Sequence, residues 1–363
     1  VIALLACAPP PEARVTWDAP AARVREGDAD QHHATVAVGP GERAFVTFVA
    51  SAWIVGAPLG ADGPEAAVRP FGEATGHHPQ IAARGDELWL VGSAAEGLHA
   101  GVFGWDGAPR AAGALAEGRA MHADLAAGHG GGLVVWAQWP DGIHGWRAGE
   151  GLLDGAPTPP IPLAWDGAGT PAVRPTDDGW LAVWAERRPG VSGIRSVLLD
   201  PSGAPRGPSE EVESWRTYDD DARPGLAVGP AGHAVAWRRP SSGEAWLRVR
   251  DPEGALVADV ALHDGGPAGR PALDAAGDTL FAAWERRDGE RWRVVLRAFD
   301  LATGDPLGPE VTAARDTGVP GRPAIAVTAT DAGVRGVVSW EALASGGRRA
   351  VWIRSFRTEP PAP

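Results

Sequence analysis

Six residues able to do chemistry recur at nearly one spacing along the chain. His33, His78 and His122 are followed, after Thr170, by Arg223, Arg270 and Arg322, at intervals of 45, 44, 48, 53, 47 and 52 residues. Neutral imidazole suits Zn, Cu or Ni and also hydrogen-bonds organic ligands. Guanidinium grips carboxylates and phosphates through a planar fork of donors. If the seven positions meet around one opening, that opening has a histidine half and an arginine half. His32, His77, Tyr218 (the only tyrosine) and the run Asp219, Asp220, Asp221 belong to the same approaching loops. His33, His78, His122, Arg223, Tyr218, Asp219, Asp220, Asp221, Arg270 and Arg322 are therefore the candidate ligand-binding residues. The three histidines are weak metal candidates, because bonds of about 2.0–2.1 Å to one ion require closely neighbouring strands.

What could position them is a repeat. Each residue immediately precedes a short phrase, as in Pro79-Gln80-Ile81-Ala82, Pro171-Ala172-Val173, Pro224-Gly225-Leu226-Ala227, Pro271-Ala272-Leu273 and Pro323-Ala324-Ile325-Ala326. Two copies lack the proline, Ala34-Thr35-Val36-Ala37 and Ala123-Asp124-Leu125-Ala126. A second strand follows every copy and ends in an aromatic: Phe48, Trp89, Trp136, Trp184, Trp237, Trp284 or Trp340. A third alternates, as in Trp246-Leu247-Arg248-Val249-Arg250, which gives a strand two unlike faces. Turns such as Asp200-Pro201-Ser202-Gly203 and Asp251-Pro252-Glu253-Gly254 lead to a weaker fourth strand. Four strands in each unit of about 40–50 residues define propeller blades. The expected fold is all-β: a seven-bladed β-propeller with four antiparallel strands per blade. The chain after Val351–Phe356 is too short for a last outer strand, and Ala22-Arg23-Val24-Arg25 can supply it, sealing the ring.

Structural roles compete for the same residues. In a regular hairpin Arg270 falls opposite Glu285 and Arg322 opposite Glu341, ordinary cross-strand ion pairs. Arg223 falls opposite Arg238, a like charge, so its counter-ion is expected in Asp219–Asp221 or in a ligand. The same arithmetic sets His33 against Phe48, His78 against Val91 or Gly92, and His122 against Ala137, none of them an acceptor side chain. The aromatics ending the second strands are expected to fill the wedges between blades. Further tryptophans, among them Trp53, Trp105, Trp139, Trp146, Trp165, Trp180, Trp215, Trp246, Trp292 and Trp352, exceed what seven wedges need. Some of these are expected on an exposed loop face, where Trp anchors partners.

The phrase Trp184-Ala185-Glu186-Arg187-Arg188-Pro189-Gly190 recurs one residue shorter as Trp284-Glu285-Arg286-Arg287-Asp288-Gly289. With the Pro-Ala-aliphatic strand before it, this resembles the repeats of bacterial, notably myxobacterial, secreted and lipoprotein propellers of unassigned function. The resemblance covers nearly the whole chain after its N-terminal tether. It implies fold and export, and it carries over no catalytic residue.

Composition narrows the function classes. The 363 residues carry a formal charge of -13, against the basic surface that a nucleic-acid partner requires. Every basic side chain other than His is Arg, and Lys and Asn are absent altogether. The single cysteine excludes an internal disulfide framework and a thiolate metal cluster. Leu4-Leu5-Ala6-Cys7 resembles a lipobox with Cys7 as the acylated residue, although no basic region precedes it. The expected organisation is a lipoprotein signal remnant (1–7), a Pro/Ala-rich tether (8–21), one propeller domain (22–358) and a disordered tail (359–363). Export to the bacterial outer membrane or cell surface follows, with membrane contact only through the lipid, a monomeric state, no cofactor, and an envelope protein or glycan as partner.

No Ser-His-Asp order, phosphate-binding glycine loop or His-Glu-x-x-His helix occurs. Non-enzymatic binding or scaffolding, through the channel mouth or a Trp-bearing loop face, is therefore the expected function. A sialidase-like glycoside hydrolase is the enzymatic alternative, since such enzymes place three arginines on the substrate carboxylate and use a tyrosine nucleophile. Seven repeats in place of six blades, and the absence of Asp-box repeats, weigh against it. A purely structural envelope lipoprotein is the third possibility.

Overall fold

The computed structural model describes residues 15–24, 30–60, 63–71, 76–128, 130–138, 142–148, 160–164, 168–188, 191–216, 223–263, 265–314, 321–343 and 347–358. Cys7, Tyr218 and Asp219–Asp221 lie outside them, so the candidate acyl site and the acidic run have no structural account.

The chain forms seven antiparallel sheets, six of which follow chain order from first strand to last while the seventh takes its outer strands from the N-terminal segment, and no helix occurs among the described residues. The first strands are Gln31–Val38, His77–Arg84, Ala120–Gly128, Ala168–Thr176, Gly225–Gly229, Ala272–Ala276 and Gly321–Thr330. Each touches the first strand of the next sheet, and the seventh touches the first, so they enclose a central channel. The chain is a seven-bladed β-propeller.

Packing explains the sequence pattern. Seven hydrophobic clusters fill the seven gaps between successive blades. A second strand covered on both faces needs apolar residues at every position, which is what Leu181-Ala182-Val183-Trp184 provides. The third strand Ala245–Arg250 is half covered, and its burial alternates residue by residue. The outer strand Leu256–Ala261 is largely exposed. Phe48, Trp89, Trp136, Trp184, Trp237, Trp284 and Trp340 are all fully buried in the wedges. Each aromatic of this size removes roughly 150–250 Å² from water, several kcal/mol at about 25 cal/mol per Å².

The ring closes on its N-terminal segment. Ala22 and Arg23 pair with Ile353 and Trp352 of the last strand, Arg349–Thr358. The sheet also reaches earlier than the expected domain boundary at residue 22, because Val15–Trp17 pairs with Thr358, Arg357 and Phe356. Trp17 packs edge-on against Phe356 at 5.9 Å, giving that strand its own apolar anchor. The edge of the last blade is therefore covered along most of its length.

Candidate functional site

The residue preceding each repeat phrase does come to one rim. His33, His78, His122, Thr170, Arg223, Arg270 and Arg322 all line a cavity of about 210 Å³ at one end of the channel. Their local backbone departs from the regular hairpin, however. In five blades the pairing slips beside this residue: between His32 and Thr35, His77 and Gln80, Met121 and Asp124, Gly169 and Ala172, and Gly321 and Ala324. Each slip is a β-bulge, one extra residue that leaves the ladder. His33, His78, His122, Thr170 and Arg322 occupy the left-handed region there, with φ between 47° and 54°. A side-chain-bearing residue held so costs on the order of 1 kcal/mol and persists only where its surroundings impose it.

The bulge corrects the expected cross-strand partners. Glu341 lies opposite Gly321, not Arg322. The backbone carbonyl of Glu285 accepts the N–H of Gly269. His122 is passed over between Met121, paired with Ala137, and Asp124. His33 and His78 likewise fall inside their bulges rather than opposite Phe48, Val91 or Gly92. The two glutamates work between blades. Glu341 Oε1 accepts the backbone N–H of His33 at 2.7 Å, and Glu285 Oε1 accepts that of Arg322 at 2.5 Å. The left-handed turn swings an N–H out of its own sheet and presents it to the preceding blade. Arg322 still stands 3.9 Å from Glu341, and Arg349 donates to the same carboxylate at 3.2 Å.

The imidazoles form a contiguous arc. Ring centroids are 3.9 Å apart for His33 and His78, and 4.4 Å for His78 and His122. His32 meets His33 edge-on at 4.6 Å from the outer side. Arg223 ends the arc, its Nη2 lying 3.3 Å from His122 Nδ1. Burial, first, and then neighbouring His and Arg charges hold the arc neutral: His78 falls to about 2, His122 to about 3, and His33 lower still. The His33 and His78 rings meet tilted and the His78 and His122 rings edge-on, and among the described residues no group of three or more His, Cys, Asp or Glu is arranged to hold a metal ion.

Beneath the rim the channel continues as a cavity of about 230 Å³ with Asp124, Arg174 and Asp274 among its mostly apolar lining. Asp124 accepts from Arg174 at 3.0 Å and from the Val173 N–H at 2.9 Å. Asp274 takes the Val327 N–H at 2.8 Å, and its burial raises its pKa. Beside the rim a second cleft of about 490 Å³ runs between the fifth, sixth and seventh blades and shares Arg270 and Arg322 with the mouth.

No known protein-family profile matches the chain, and no curated protein matches it in sequence. Solved structures do. A protein of unknown function from Dyadobacter fermentans DSM 18053 aligns over 95% of this chain and 99% of its own, with TM-score 0.56 and 13% identity. A structure from work on two prolyl endopeptidases aligns over 88% of this chain but 47% of its own, with TM-score 0.50 and 13% identity. The Dos1 propeller aligns over 96% and 95%, with TM-score 0.46 and 10% identity. The likeness shows the fold alone.

The surplus tryptophans do not form an exposed loop face among the described residues. Trp105, Trp146 and Trp180 are buried, and Trp53, Trp215, Trp246, Trp292 and Trp352 are half-buried. Several carry an arginine over the ring, as Arg69 does on Trp53 at 4.9 Å and Arg239 on Trp246 at 3.5 Å. Trp139 and Trp165 lie outside the described residues. Sequence pattern indicated the rim, but not the bulge or the inter-blade carboxylates. The only available hint was a glutamate one or two residues after the wedge tryptophan, as at Glu186, Glu285 and Glu341.

Proposed function

We propose that this protein is a non-enzymatic binding propeller of the bacterial cell envelope that holds its ligand in the histidine–arginine mouth. One observation carries the proposal: three imidazoles in ring-to-ring contact and three arginines, from six blades, line a single cavity. Strained, left-handed backbone at five of the seven rim positions adds support, since such strain clusters at binding sites. The Leu4-Leu5-Ala6-Cys7 lipobox and the resemblance of the repeats to exported propellers support the envelope location.

The test is capture of envelope components by the chain lacking residues 1–11, which removes none of the described sheet. His78→Asn with His122→Asn is the informative variant, because Asn tolerates the left-handed backbone that Ala resists. Capture should weaken at least about tenfold, equivalent to about 1.4 kcal/mol, while the melting temperature at neutral pH stays near that of the parent. A parallel loss of capture and stability would make the histidines structural. For the location, Cys7→Ser should move the protein from the membrane fraction to the soluble fraction, and unchanged partitioning would refute acylation.

A further inference from the structure

We infer that the cleft beside the mouth, between the fifth, sixth and seventh blades, is a saccharide site in which Trp292 stacks on the face of one neutral pyranose ring. The site is separate from the mouth and does not depend on the mouth holding a ligand.

Three blades place a tryptophan within the first two residues of the third strand: Trp53, Trp246 and Trp292. Two of these rings are covered. Arg69 lies over Trp53 at 4.9 Å and Arg239 over Trp246 at 3.5 Å, and each ring also packs against a hydrophobic cluster between blades. The Trp246 indole N–H is used as well, donating to Glu244 at 3.3 Å. Trp292 differs on every count. It is half-buried, yet it joins none of the seven hydrophobic clusters. Among the described residues its indole has no cation over it, no ring contact and no hydrogen bond.

Trp292 lines the cleft of about 490 Å³ instead. Leu343, which ends the strand Gly333–Leu343 and is 42% exposed, lines it too, with Pro267 and Ala342. One exposed leucine is ordinary, but a bare indole and an exposed leucine in one concavity make a surface shaped for a ligand.

The polar lining selects the ligand's chemistry. Arg238 and Arg349 share the cleft with Glu285 and Glu341. Arg349 Nη1 donates to Glu341 at 3.2 Å, while its Nε and Nη2 have no partner among the described residues and its side chain is half-exposed. Charges of both signs in one wall ask for no net charge in the ligand. They suit groups that donate and accept at once, as hydroxyls do. A pyranose carries hydroxyls around its edge and an apolar C–H face, and that face meets the negative face of an indole. The volume lies within the roughly 300–1,000 Å³ of small-ligand sites. A protein anchor fits less well, because the centre of a protein interface is depleted of charged residues.

Calorimetry on the full chain tests this with cellotriose, maltotriose and triacetylchitotriose as neutral probes. At least one should bind with one-to-one stoichiometry at neutral pH. Trp292→Ala should weaken that binding about tenfold or more, as loss of a central aromatic anchor does. Its melting temperature should stay near the parent's, since the indole packs into no cluster. Trp292→Phe retains a flat ring and should restore part of the affinity. Leu343→Gln, at an exposed position, should also weaken binding, and it carries the test if Trp292→Ala fails to fold. Absence of binding by all three probes overturns the inference, as does binding indifferent to both Trp292→Ala and Leu343→Gln. Binding lost in His78→Asn with His122→Asn but kept in Trp292→Ala would place the sugar in the mouth and overturn it too. Capture of an envelope protein that needs Trp292, without saccharide binding, would make the cleft a protein-docking surface and also overturn it. If saccharide binding needs Trp292 while envelope capture is indifferent to His78 and His122, the cleft stands and the mouth falls.

Discussion

Glu341→Ala is expected to lower the unfolding free energy by about 3–5 kcal/mol, the cost of breaking a buried charged contact from one side. Glu341 is 2% exposed. It joins the last blade to the first by accepting the His33 N–H at 2.7 Å, and it neutralises Arg349 at 3.2 Å with Arg322 at 3.9 Å. His33 occupies left-handed backbone, so its N–H has left its own sheet and points at this carboxylate. Removing the carboxylate leaves that N–H without its acceptor and deprives two arginines of their anion. It does so at the seam where a ring protein opens.

Glu341→Gln separates hydrogen bonding from charge. The amide oxygen can still accept from His33, so the variant should stay within about 1 kcal/mol of the parent. Burial raises the Glu341 pKa. The folded state therefore binds this proton more readily than the unfolded chain does, and its contribution to stability falls as pH rises from the unfolded value toward the raised one. Gln removes that term, so its disadvantage should be smallest at neutral pH. Urea midpoints for the three proteins measure both effects. An Ala variant within about 1 kcal/mol of the parent would show that the inter-blade bond does not hold the seam.

The bulge that aims His33 at Glu341 also shows where legibility ended. Blade count, ring closure and the wedge role of Trp237 or Trp284 could be read from the sequence, because each depends on one-dimensional spacing of large apolar residues. The convergence of His33, His78 and His122 followed from the same spacing. Their partners did not. A one-residue slip shifts every opposite residue, and no residue type marks it: the five left-handed positions hold three His, one Thr and one Arg, with no Gly or Asn. The Glu285–Arg322 and Glu341–His33 bonds join residues 37 and 308 positions apart. Such contacts depend on how blades rotate against each other, which hairpin arithmetic within one blade cannot supply.

That convergence carries a second large effect, on acid stability. The folded chain holds His78 at about 2 and His122 at about 3, with His33 lower, whereas an unfolded histidine titrates near 6.5. Between those values the unfolded chain binds protons that the folded mouth refuses. Stability is therefore complete above the unfolded pKa and is lost as pH falls below it. From about pH 6.5 to pH 5 each such histidine contributes a loss of up to about 2 kcal/mol, at about 1.36 kcal/mol per pH unit. Glu341 and Asp274, whose pKa values burial raises, act in the opposite direction, so the total acid slope mixes several groups. The difference between proteins isolates the arc. Replacing His33, His78 and His122 together by Asn should flatten the slope by roughly three histidines' worth, measured as urea midpoints at about pH 7 and pH 5. A triple variant as steep as the parent would mean that the folded mouth accepts these protons and that burial beside Arg223, Arg270 and Arg322 does not exclude them.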